Sequence, residues 1–504
     1  MTTLKSNLAL IVLTLATLAT AMDVTIVFQA IPSIVRTLDA TPSEALWVSD
    51  VYGYVLAGLL VTAGVAGDRF GHRRMLIIGG CAFTVMSVAA AMAPSPLWLI
   101  IFRAGMGAAG AALMPCSFAL VFRMFEGARR SRSIGVLVSA FTFGTALGPV
   151  VAGLILENYY WGVVFLPAAI ACLILVAAAP FTLPAAENLG DNAASSPIDL
   201  TSSLFLLIGF VAGAWTIKGI AIEGTIVHIA VGASVTVLFF AIFTRRQSRS
   251  ETPFLDIKLF SNPKFSATLL LLAALLAADG GVYFLIAQNF QESFRLTPLT
   301  SGLLLIIPAL ILCFSAALIP TLFRRFGSVA IATGSIIIAI FGLAFLAFSG
   351  ANTLLVCILG LSIFYLALGP VMTLGNEMVI SAAPPDQRGA ASGVCETVMQ
   401  LSLSIGVTLF GSLGLVIYRN SISNSDTAGG LTDGIKSSPS GSSDQLASDH
   451  SAAGTVFDAS SLSLAVTSAV AAALILTSFV VAAYLWNRTN SSSRTESLIG
   501  EANG

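Results

Sequence analysis

Fourteen long apolar runs restrict the possible folds of this chain more than any other feature of its sequence. A helix needs about 20 apolar residues to cross the ~30 Å hydrocarbon core of a bilayer. Only 10% of the residues are charged, whereas a soluble domain has about 25%, which excludes an ordinary water-soluble globule. The sequence therefore predicts an all-α polytopic membrane protein. Its spans are expected at 8–32, 45–66, 75–93, 97–121, 133–156, 162–180, 200–217, 225–244, 265–290, 299–322, 328–348, 352–380, 389–418 and 461–486.

The basic residues are distributed unevenly between the two sets of loops. With the termini placed in the cytoplasm, fifteen Lys and Arg residues fall in cytoplasmic loops. Five fall in outer loops: Arg36, Lys218, Arg295, Arg419 and Lys436. Because cytoplasmic loops carry an excess of Lys and Arg, we expect a multi-pass protein of the inner (cytoplasmic) membrane with both termini cytoplasmic. The net charge of −1 argues against nucleic-acid binding, which needs a concentrated basic surface.

Signatures of enzymes and of bound cofactors are missing from the sequence. It contains no nucleotide-binding loop, no H-E-x-x-H zinc motif and no nucleophile elbow. The six cysteines all fall within apolar stretches and have neither metal-ligand spacing nor the pattern of a disulfide framework. We therefore expect neither an enzyme nor a bound metal or cofactor.

An internal duplication relates the two ends of the chain with a constant offset of 256 residues. The Thr-Pro and Arg-Phe-Gly groups at 41–42 and 69–71 recur at 297–298 and 325–327. The same offset relates three further pairs: Asp23 and Asp279, Phe28 and Phe284, and Arg132 and Arg388. Two parallel halves of six spans are the plan of a transporter that rocks around a site near the bilayer midplane. The duplication therefore predicts a site between the halves.

The spans and the duplication together predict how the chain is organised. We expect an N-terminal six-helix half at 1–180, a cytoplasmic linker at 181–199, two inserted transmembrane helices at 200–245, a second linker at 246–264, a C-terminal six-helix half at 265–486 and a cytoplasmic tail at 487–504. An outer loop at 419–460 interrupts the C-terminal half and is rich in Ser, Gly and Asp. Its composition fits either a hydrophilic hairpin or a lid over the outer opening.

The turn between spans 2 and 3 is basic and contains glycines. The glycines allow a tight turn at the membrane surface, the aspartate can cap or pair across it, and the arginines can hold the cytoplasmic side closed. The residues expected to form this gate are Gly67, Asp68, Arg69, Gly71, Arg73 and Arg74. The alternative is a basic turn that only sets the topology.

Span 5 carries small residues around a proline, at Gly144, Gly148, Pro149 and Gly153. Small residues four positions apart let neighbouring helices approach closely. The proline removes one backbone hydrogen bond and introduces a kink. On its own this spacing is common in membrane helices, so it is only weak evidence for a function beyond packing.

These two elements resemble known motifs. The turn is similar to the G-x-x-x-D-R-x-G-R-R loop of the major facilitator superfamily, and span 5 is similar to the G-x-x-x-G-P-x-x-G-G element of its exporters. Residues 21–27, 46–52 and 101–107 resemble the first, second and fourth helices of the fourteen-span drug:proton antiporters, which include the Qac-type exporters of quaternary ammonium compounds.

The resemblance implies a major facilitator fold with two six-helix halves plus two inserted helices. It also implies a proton-coupled antiporter that exports hydrophobic, often cationic drugs, antiseptics and dyes by alternating access. Its partners would be these small molecules, protons and membrane lipid, and the chain is expected to act as a monomer driven by the proton gradient. The alternative is a dedicated exporter of a single metabolite or self-made antibiotic.

Six ionisable residues lie within or at the ends of spans: Asp23, Asp50, Arg103, Asp279, Glu377 and Glu396. A charged side chain at the bilayer centre costs roughly 2.5–3.5 kcal/mol on the insertion scale, so such residues usually have a function. Asp23 and Arg103 both fall in the outer halves of their spans and are expected to pair, either for proton coupling or as a static salt bridge. The duplication places Asp279 at the depth of Asp23, facing the same cavity. It is expected either to bind substrate or couple protons, or to be hydrogen-bonded within its own half. Gly280 and Gly281 follow it and could loosen the helix.

Glu396 matches the acidic position of the family's E-T-x-x-x-x-x-G element and is expected to carry substrate or protons. Several Qac-type relatives have a second acid where this chain has Gln400, which weighs against dicationic substrates. Glu377 and Asp50 lie near span ends, where interfacial solvation is the alternative to a role in transport. Lipophilic cations need an apolar, aromatic cavity. The rings on helices expected to line it are Phe28, Tyr52, Phe141, Phe143, Tyr283, Phe284 and Tyr365, and for each of them helix packing is the alternative and the more common role of an aromatic residue in a membrane.

Overall fold

The computed structural model describes residues 3–184, 199–222, 224–250, 257–348, 353–384, 388–425, 432–439 and 450–502, and no strand occurs within these ranges. Fourteen helices are long and apolar enough to cross a membrane, which confirms the predicted number of spans. They are α1 (Thr3–Leu38), α2 (Pro42–Phe70), α3 (His72–Ala91), α4 (Pro96–Met124), α5 (Gly127–Asn158), α6 (Leu166–Thr182), α7 (Leu200–Ile222), α8 (Ile226–Arg249), α9 (Pro263–Glu292), α10 (Pro298–Phe326), α11 (Ser328–Phe348), α12 (Leu354–Ala382), α13 (Arg388–Ser423) and α14 (His450–Ala502).

The sequence duplication recurs in the way that corresponding helices begin and end. The hydroxyl of Thr41 caps α2 and that of Thr297 caps α10, and in both helices a proline follows the cap. Both helices end at a glycine with positive φ, which is 95° at Gly71 and 73° at Gly327. Only glycine adopts such a φ without strain, so the same turn chemistry ends the second and the tenth helix.

The helices pack as two groups of six with the inserted pair beside them. In the N-terminal group α1 packs on α4, α5 and α6, and α2 packs on α4. In the C-terminal group α9 packs on α12, α13 and α14, and α10 packs on α12. The two groups meet where α5 contacts α10 and α2 contacts α13, and α7 lies against both helices of this second seam. The helices that face each other across the interface are therefore α2 and α13, α5 and α10, and, over a shorter stretch, α1 and α9.

Span 7 was predicted too short. Its helix extends from Leu200 to Ile222, so Lys218 lies inside the membrane-spanning helix and not in an outer loop. The side chain is 1% exposed and donates a 2.9 Å hydrogen bond to Asp50 of α2. A buried lysine is stable inside a transmembrane helix because an acidic partner neutralises it, and this partner is far away in the sequence.

The outer loop predicted at 419–460 is shorter than expected, because α13 continues to Ser423 and α14 begins at His450. Transmembrane helices commonly continue past the apolar run that marks them. Between these helices a short helix, Asp433–Ser437, packs its Ile435 against Tyr418, whose hydroxyl donates to the Ile435 carbonyl at 2.9 Å. Residues 426–431 and 440–449 of this loop lie outside the described residues, as do 185–198 and 251–256 of the two linkers. The predicted tail at 487–504 continues α14 as far as Ala502.

The two inserted helices are joined at the end where α7 begins and α8 ends. Arg246 of α8 donates to Asp199 at 3.1 Å, and Ser202 of α7 donates to the same carboxylate. Partial burial acts to raise the pKa of Asp199, but these hydrogen bonds outweigh it and hold the pKa below its usual range. Nearer the other end His228 stacks on Trp215 with a centroid separation of 3.9 Å. His228 therefore faces the neighbouring inserted helix.

Candidate functional site

A cavity with about 1140 Å³ of empty space, including its open mouth, lies between the two halves near the middle of the bundle. Helices of both halves contribute to its wall, which fits the predicted site between the halves. Most of the wall is apolar or aromatic. The expected aromatic residues that line it are Phe28, Tyr52, Phe141, Tyr283 and Tyr365.

Aromatic rings from the two halves meet at one side of this central cavity. Phe28 of α1 packs edge-on against its duplicate, Phe284 of α9, with ring centroids 5.7 Å apart. It also contacts Tyr283 at 6.0 Å. Tyr283 in turn stacks on Tyr365 of α12 with an angle of 9° between the rings. Phe284 lines a neighbouring cavity nearer the end of the bundle, so the ring cluster separates two compartments.

The prediction for Phe143 was wrong. Its side chain is 58% exposed and is not among the residues lining the cavity. Two positions along a helix correspond to about 200° of rotation, so Phe143 and Phe141 point to nearly opposite sides of α5. Phe141 faces the cavity, and Phe143 faces the surrounding membrane.

Asp279 is the only carboxylate among the described residues that line the cavity. Its side chain interacts with that of Tyr365, which also lines the cavity. The Oδ1 atom of Asp279 has no hydrogen-bond partner. The helix behind it is continuous from Pro263 to Glu292, so Gly280 and Gly281 do not break it. They permit a close approach of α13 instead, because a Cβ atom on Gly280 would meet the Leu403 backbone at 3.1 Å.

The expected pairing of Asp23 with Arg103 is present. Both side chains are fully buried, and Arg103 Nη1 donates to Asp23 Oδ2. Arg103 Nε also donates to the Val48 carbonyl at 3.2 Å, and the guanidinium lies 4.9 Å from the centre of the Tyr52 ring. Arg103 lines the central cavity with the aspartate behind it. Asp23 Oδ1 has no partner, which leaves one carboxylate oxygen free to accept a proton.

Asp50 does not lie in solvated surroundings at the membrane surface. It is 1% exposed and joins three helices, since Lys218 of α7 donates to Oδ1 and Thr408 of α13 donates to Oδ2. The Thr408 and Tyr54 hydroxyls share a further hydrogen bond of 2.7 Å. Sequence reasoning missed Lys218, Thr408 and Tyr54 as parts of a site. The available signal was the apolar sequence that continues past Lys218 to Ile222.

Glu396 and Glu377 lie outside the cavity wall. Glu396 is half-buried on α13 and accepts a 3.1 Å hydrogen bond from Gln400. Gln400 itself lines the cavity, so it connects Glu396 to the space between the halves. Glu377 is exposed near the end of α12. In the part of the chain that the structure describes, no three His, Cys, Asp or Glu side chains are grouped closely enough to hold a metal ion.

Polar side chains close one end of the cavity, on the side away from the basic turns at Gly71 and Gly327. Gln291 of α9 donates to the Gln29 side chain of α1 at 2.5 Å, and Gln29 donates to Ser301 of α10 at 3.1 Å. These hydrogen bonds join the two halves directly and are buried or partly buried. The cavity is therefore sealed at this end by contacts between the halves.

Comparison with known proteins identifies the family. The profile of the Major Facilitator Superfamily matches residues 13–407. The chain belongs to this superfamily. The multidrug efflux pump LfrA of Mycolicibacterium smegmatis is 35% identical over 85% of this chain and 84% of that protein. The methyl viologen resistance protein SmvA of Salmonella typhimurium is 28% identical over 81% and 82%. The tetracenomycin C resistance and export protein of Streptomyces glaucescens is 29% identical over 78% and 73%.

Solved structures show the same major facilitator fold. A bacterial homologue of the human lysosomal transporter Spinster superposes with a TM-score of 0.62 at 14% identity and covers 96% of this chain and 99% of its own. A mutant form of the nucleoside transporter NupG also gives a TM-score of 0.62, at 15% identity, with 94% and 100% covered. The fold and the family identify a multi-pass membrane transporter rather than an enzyme.

The superfamily turn at Gly71 forms its contacts within the N-terminal half. Asp68 pairs with His72 at 3.1 Å and with Arg123 of α4 at 3.9 Å. Arg73 donates to the Pro180 carbonyl at the end of α6 at 2.8 Å. The turn therefore ties α2 and α3 to α4 and α6. Its role as a gate stays a prediction.

The span 5 element of this superfamily member packs on two different helices. Cβ atoms on Gly144 and Gly148 would lie 2.9 Å from the carbonyl oxygens of Leu18 and Met22 in α1. A Cβ atom on Gly153 would lie 2.6 Å from the Cα of Leu299 in α10. Gly144 and Gly148 therefore allow close packing inside one half, whereas Gly153 allows the two halves to touch.

Replacing Gly153 with Ala is expected to weaken closure of the end sealed by Gln29. Overpacking costs about 1–3 kcal/mol, and here the methyl group lies between the halves and not within one of them. Spin labels at Glu157 of α5 and Leu303 of α10 should show a longer mean separation than in the parent protein. Gly135→Ala is the matched control on α5, because no atom lies within 4 Å of the added Cβ. An unchanged distance distribution in Gly153→Ala would contradict this assignment.

Proposed function

We propose that this transporter is a proton-coupled antiporter that exports hydrophobic, often cationic compounds from the cell. The observation that carries the proposal is the central cavity, where one carboxylate, Asp279, stands among aromatic and apolar side chains between the two halves. Aromatic faces attract organic cations at a small desolvation cost. An apolar cavity with few polar groups also accepts ligands of different shapes.

The names of the relatives support export of drugs. LfrA is named as a multidrug efflux pump, and SmvA is named as a methyl viologen resistance protein. Both similarities cover most of this chain. Methyl viologen is a dication, whereas the cavity wall here carries a single carboxylate and Gln400 in place of a second acid. We therefore propose that monovalent lipophilic cations are preferred over dications.

The buried Asp23–Arg103 pair supports coupling to protons. A carboxylate that meets an arginine in one state and loses it in the other changes its proton affinity between the states. Asp23 has one unpartnered oxygen, and Arg103 reaches the cavity wall. Movement of Arg103 away from Asp23 in the alternate state would expose Asp23 to protonation.

The orientation follows from the basic residues. Lys218 is buried and paired with Asp50 inside α7 and is therefore not a loop charge, which leaves four outer basic residues against fifteen cytoplasmic ones. We propose that the turns at Gly71 and Gly327 face the cytoplasm of the inner membrane. The end sealed by Gln29 then faces outward, so that the described conformation is closed toward the outside. We further propose that one chain is sufficient for transport.

The test is ethidium efflux in inside-out membrane vesicles, or in proteoliposomes, with an imposed pH gradient and no sodium. We expect ethidium to accumulate in the lumen when the lumen is acidic, and accumulation to stop when nigericin abolishes the pH gradient. Transport that needs sodium, and not the pH gradient, would contradict proton coupling. Methyl viologen should compete for ethidium transport only weakly.

A second candidate is a dedicated exporter of one metabolite or self-made antibiotic. The observation that favours it is the similarity to a tetracenomycin C resistance and export protein. A panel of structurally unrelated cations distinguishes the two. Movement of several of them at comparable rates supports the broad exporter, and failure to move any cationic dye supports the dedicated one.

A further inference from the structure

The two inserted helices are absent from the duplicated plan, yet one of them places a charge at the seam between the halves. Lys218 of α7 is among the largest fully buried side chains of the protein. Its ammonium group lies 2.9 Å from Asp50 Oδ1 and 3.5 Å from the centre of the Trp47 ring. Burying a lysine inside a transmembrane helix is costly, and such residues usually have a function. Neither Lys218 nor Asp50 is among the residues that line the central cavity.

Helix α7 is attached to α2 along most of its length. Near its start the Ser203 hydroxyl bonds with that of Thr62. One turn further on, Leu207 packs closely against Gly58, since a Cβ atom added to Gly58 would lie 3.2 Å from the Cβ of Leu207. Lys218 forms the contact nearest the other end. Although α7 also packs on α13, the Ser203–Thr62 and Lys218–Asp50 hydrogen bonds join it to α2, so we expect it to move with α2 as part of the N-terminal half.

Helix α13 belongs to the other half and meets α2 on an adjacent face. The contacts are antiparallel, since Leu46 packs near Gly411 and Tyr54 donates to the Ser404 carbonyl at 3.2 Å. Between these two contacts Thr408 donates to Asp50 Oδ2. Asp50 therefore holds Lys218 of its own half with one oxygen and Thr408 of the opposite half with the other.

We propose that Lys218 is a positioning residue for the alternating-access cycle, because it keeps Asp50 ionised as the acceptor that holds α13 when the outer end is closed. We call Lys218, Asp50 and Thr408 the seam latch. Hydrogen bonds to a charged acceptor are about twice as strong as those between neutral groups. When the halves separate at this end, the Thr408 bond breaks while the Lys218 pair stays intact, so Asp50 is never left as an unpaired buried charge. The inserted helix thus acts in transport and is not only a lipid-facing spacer.

The test measures opening of the seam in the purified full-length protein, because labelling in detergent or nanodiscs does not depend on transport or orientation. The six natural cysteines are replaced by Ala, and Leu46, which is 4% exposed beside α13, is replaced by Cys. The alkylation rate of this cysteine reports how often α2 and α13 separate. Thr408→Val is expected to raise that rate at least about tenfold, because it removes the charge-assisted hydrogen bond to Asp50 and also the hydrogen bond to Tyr54.

The deciding variant is the double replacement Asp50→Asn with Lys218→Met, which leaves no unpaired buried charge and should therefore fold. It is expected to be alkylated faster than the parent but more slowly than Thr408→Val, because the asparagine oxygen still accepts a weaker, neutral hydrogen bond from Thr408 and the Tyr54–Thr408 bond remains. Adding this double replacement to Thr408→Val should raise the rate no further, because Lys218 and Asp50 hold the seam through the bond to Thr408. Leu207→Ala, which loosens α7 against α2 away from the latch, is the control and should leave the rate near that of the parent.

Two outcomes overturn the proposal. One is a parental alkylation rate in the double replacement, which would mean that the ion pair does not hold the seam. The other is an effect of the double replacement that adds fully to that of Thr408→Val, which would assign Lys218 and Asp50 a packing role only. The inference rests on the proposed function only because opening of this end is a step of alternating access. Failure of ethidium transport would contradict the proposed function without altering the labelling result.

Discussion

Replacing Asp279 with Asn is expected to slow ethidium efflux about 10- to 100-fold at neutral pH, the loss given by one interaction with a charged group. Asp279 is the only carboxylate among the described residues of the cavity wall, so no neighbouring acid there takes over its charge. The asparagine has nearly the same volume, and thermal unfolding in detergent should be almost unchanged. Efflux in vesicles with an imposed pH gradient is the measurement.

A matched control is Asp458→Asn, which removes an exposed carboxylate from α14 of the same half and should leave efflux at the parental rate. Dye exchange without a gradient separates two roles of Asp279. If the carboxylate binds the cation, exchange also weakens and KM rises. If it carries the proton, exchange persists and only the response to the pH gradient is lost. Efflux at the parental rate in Asp279→Asn would remove Asp279 from the site.

Breaking the Asp23–Arg103 pair is expected to abolish gradient-driven efflux. Replacing the aspartate and replacing the arginine should, however, lower the stability by different amounts. Removing one partner of a buried ion pair costs about 3–5 kcal/mol, because the other charge stays buried. Asp23→Asn leaves a guanidinium that cannot lose its proton. Arg103→Met leaves a carboxyl group that can neutralise itself by binding a proton. Asp23→Asn should therefore lower the unfolding temperature more than Arg103→Met does.

The double replacement Asp23→Asn with Arg103→Met tests this explanation. It contains no buried charge at this position, and its unfolding temperature should recover above that of Asp23→Asn alone. Efflux should stay absent in all three variants, because each lacks a carboxylate that exchanges an arginine for a proton. Gradient-driven efflux in the double variant would show that the pair is a static salt bridge.

The central site was only partly predictable from the sequence. The duplication indicated that Asp279 has the depth of Asp23, and the structure places Asp279 on the cavity wall. The expected Asp23–Arg103 pair is present because both residues fall in the outer halves of spans that pack together. Phe143 was assigned to the wrong side because apolar membrane helices have no polar face to show which residues point inward. Apolar residues of the same types face both the lipid and the neighbouring helices.

The sequence alone determined the number of spans, the two duplicated halves and the family motifs. These features depend on local composition and on spacing along the chain, and both can be read without knowing which helices are adjacent. Only the tertiary structure showed that Lys218 pairs with Asp50 across 168 residues, and that Gly153 touches α10 while Gly144 touches α1. Such contacts depend on which helices are adjacent and on the rotation of each about its axis. A long apolar helix leaves both undecided, and the packing of all fourteen helices against one another sets them.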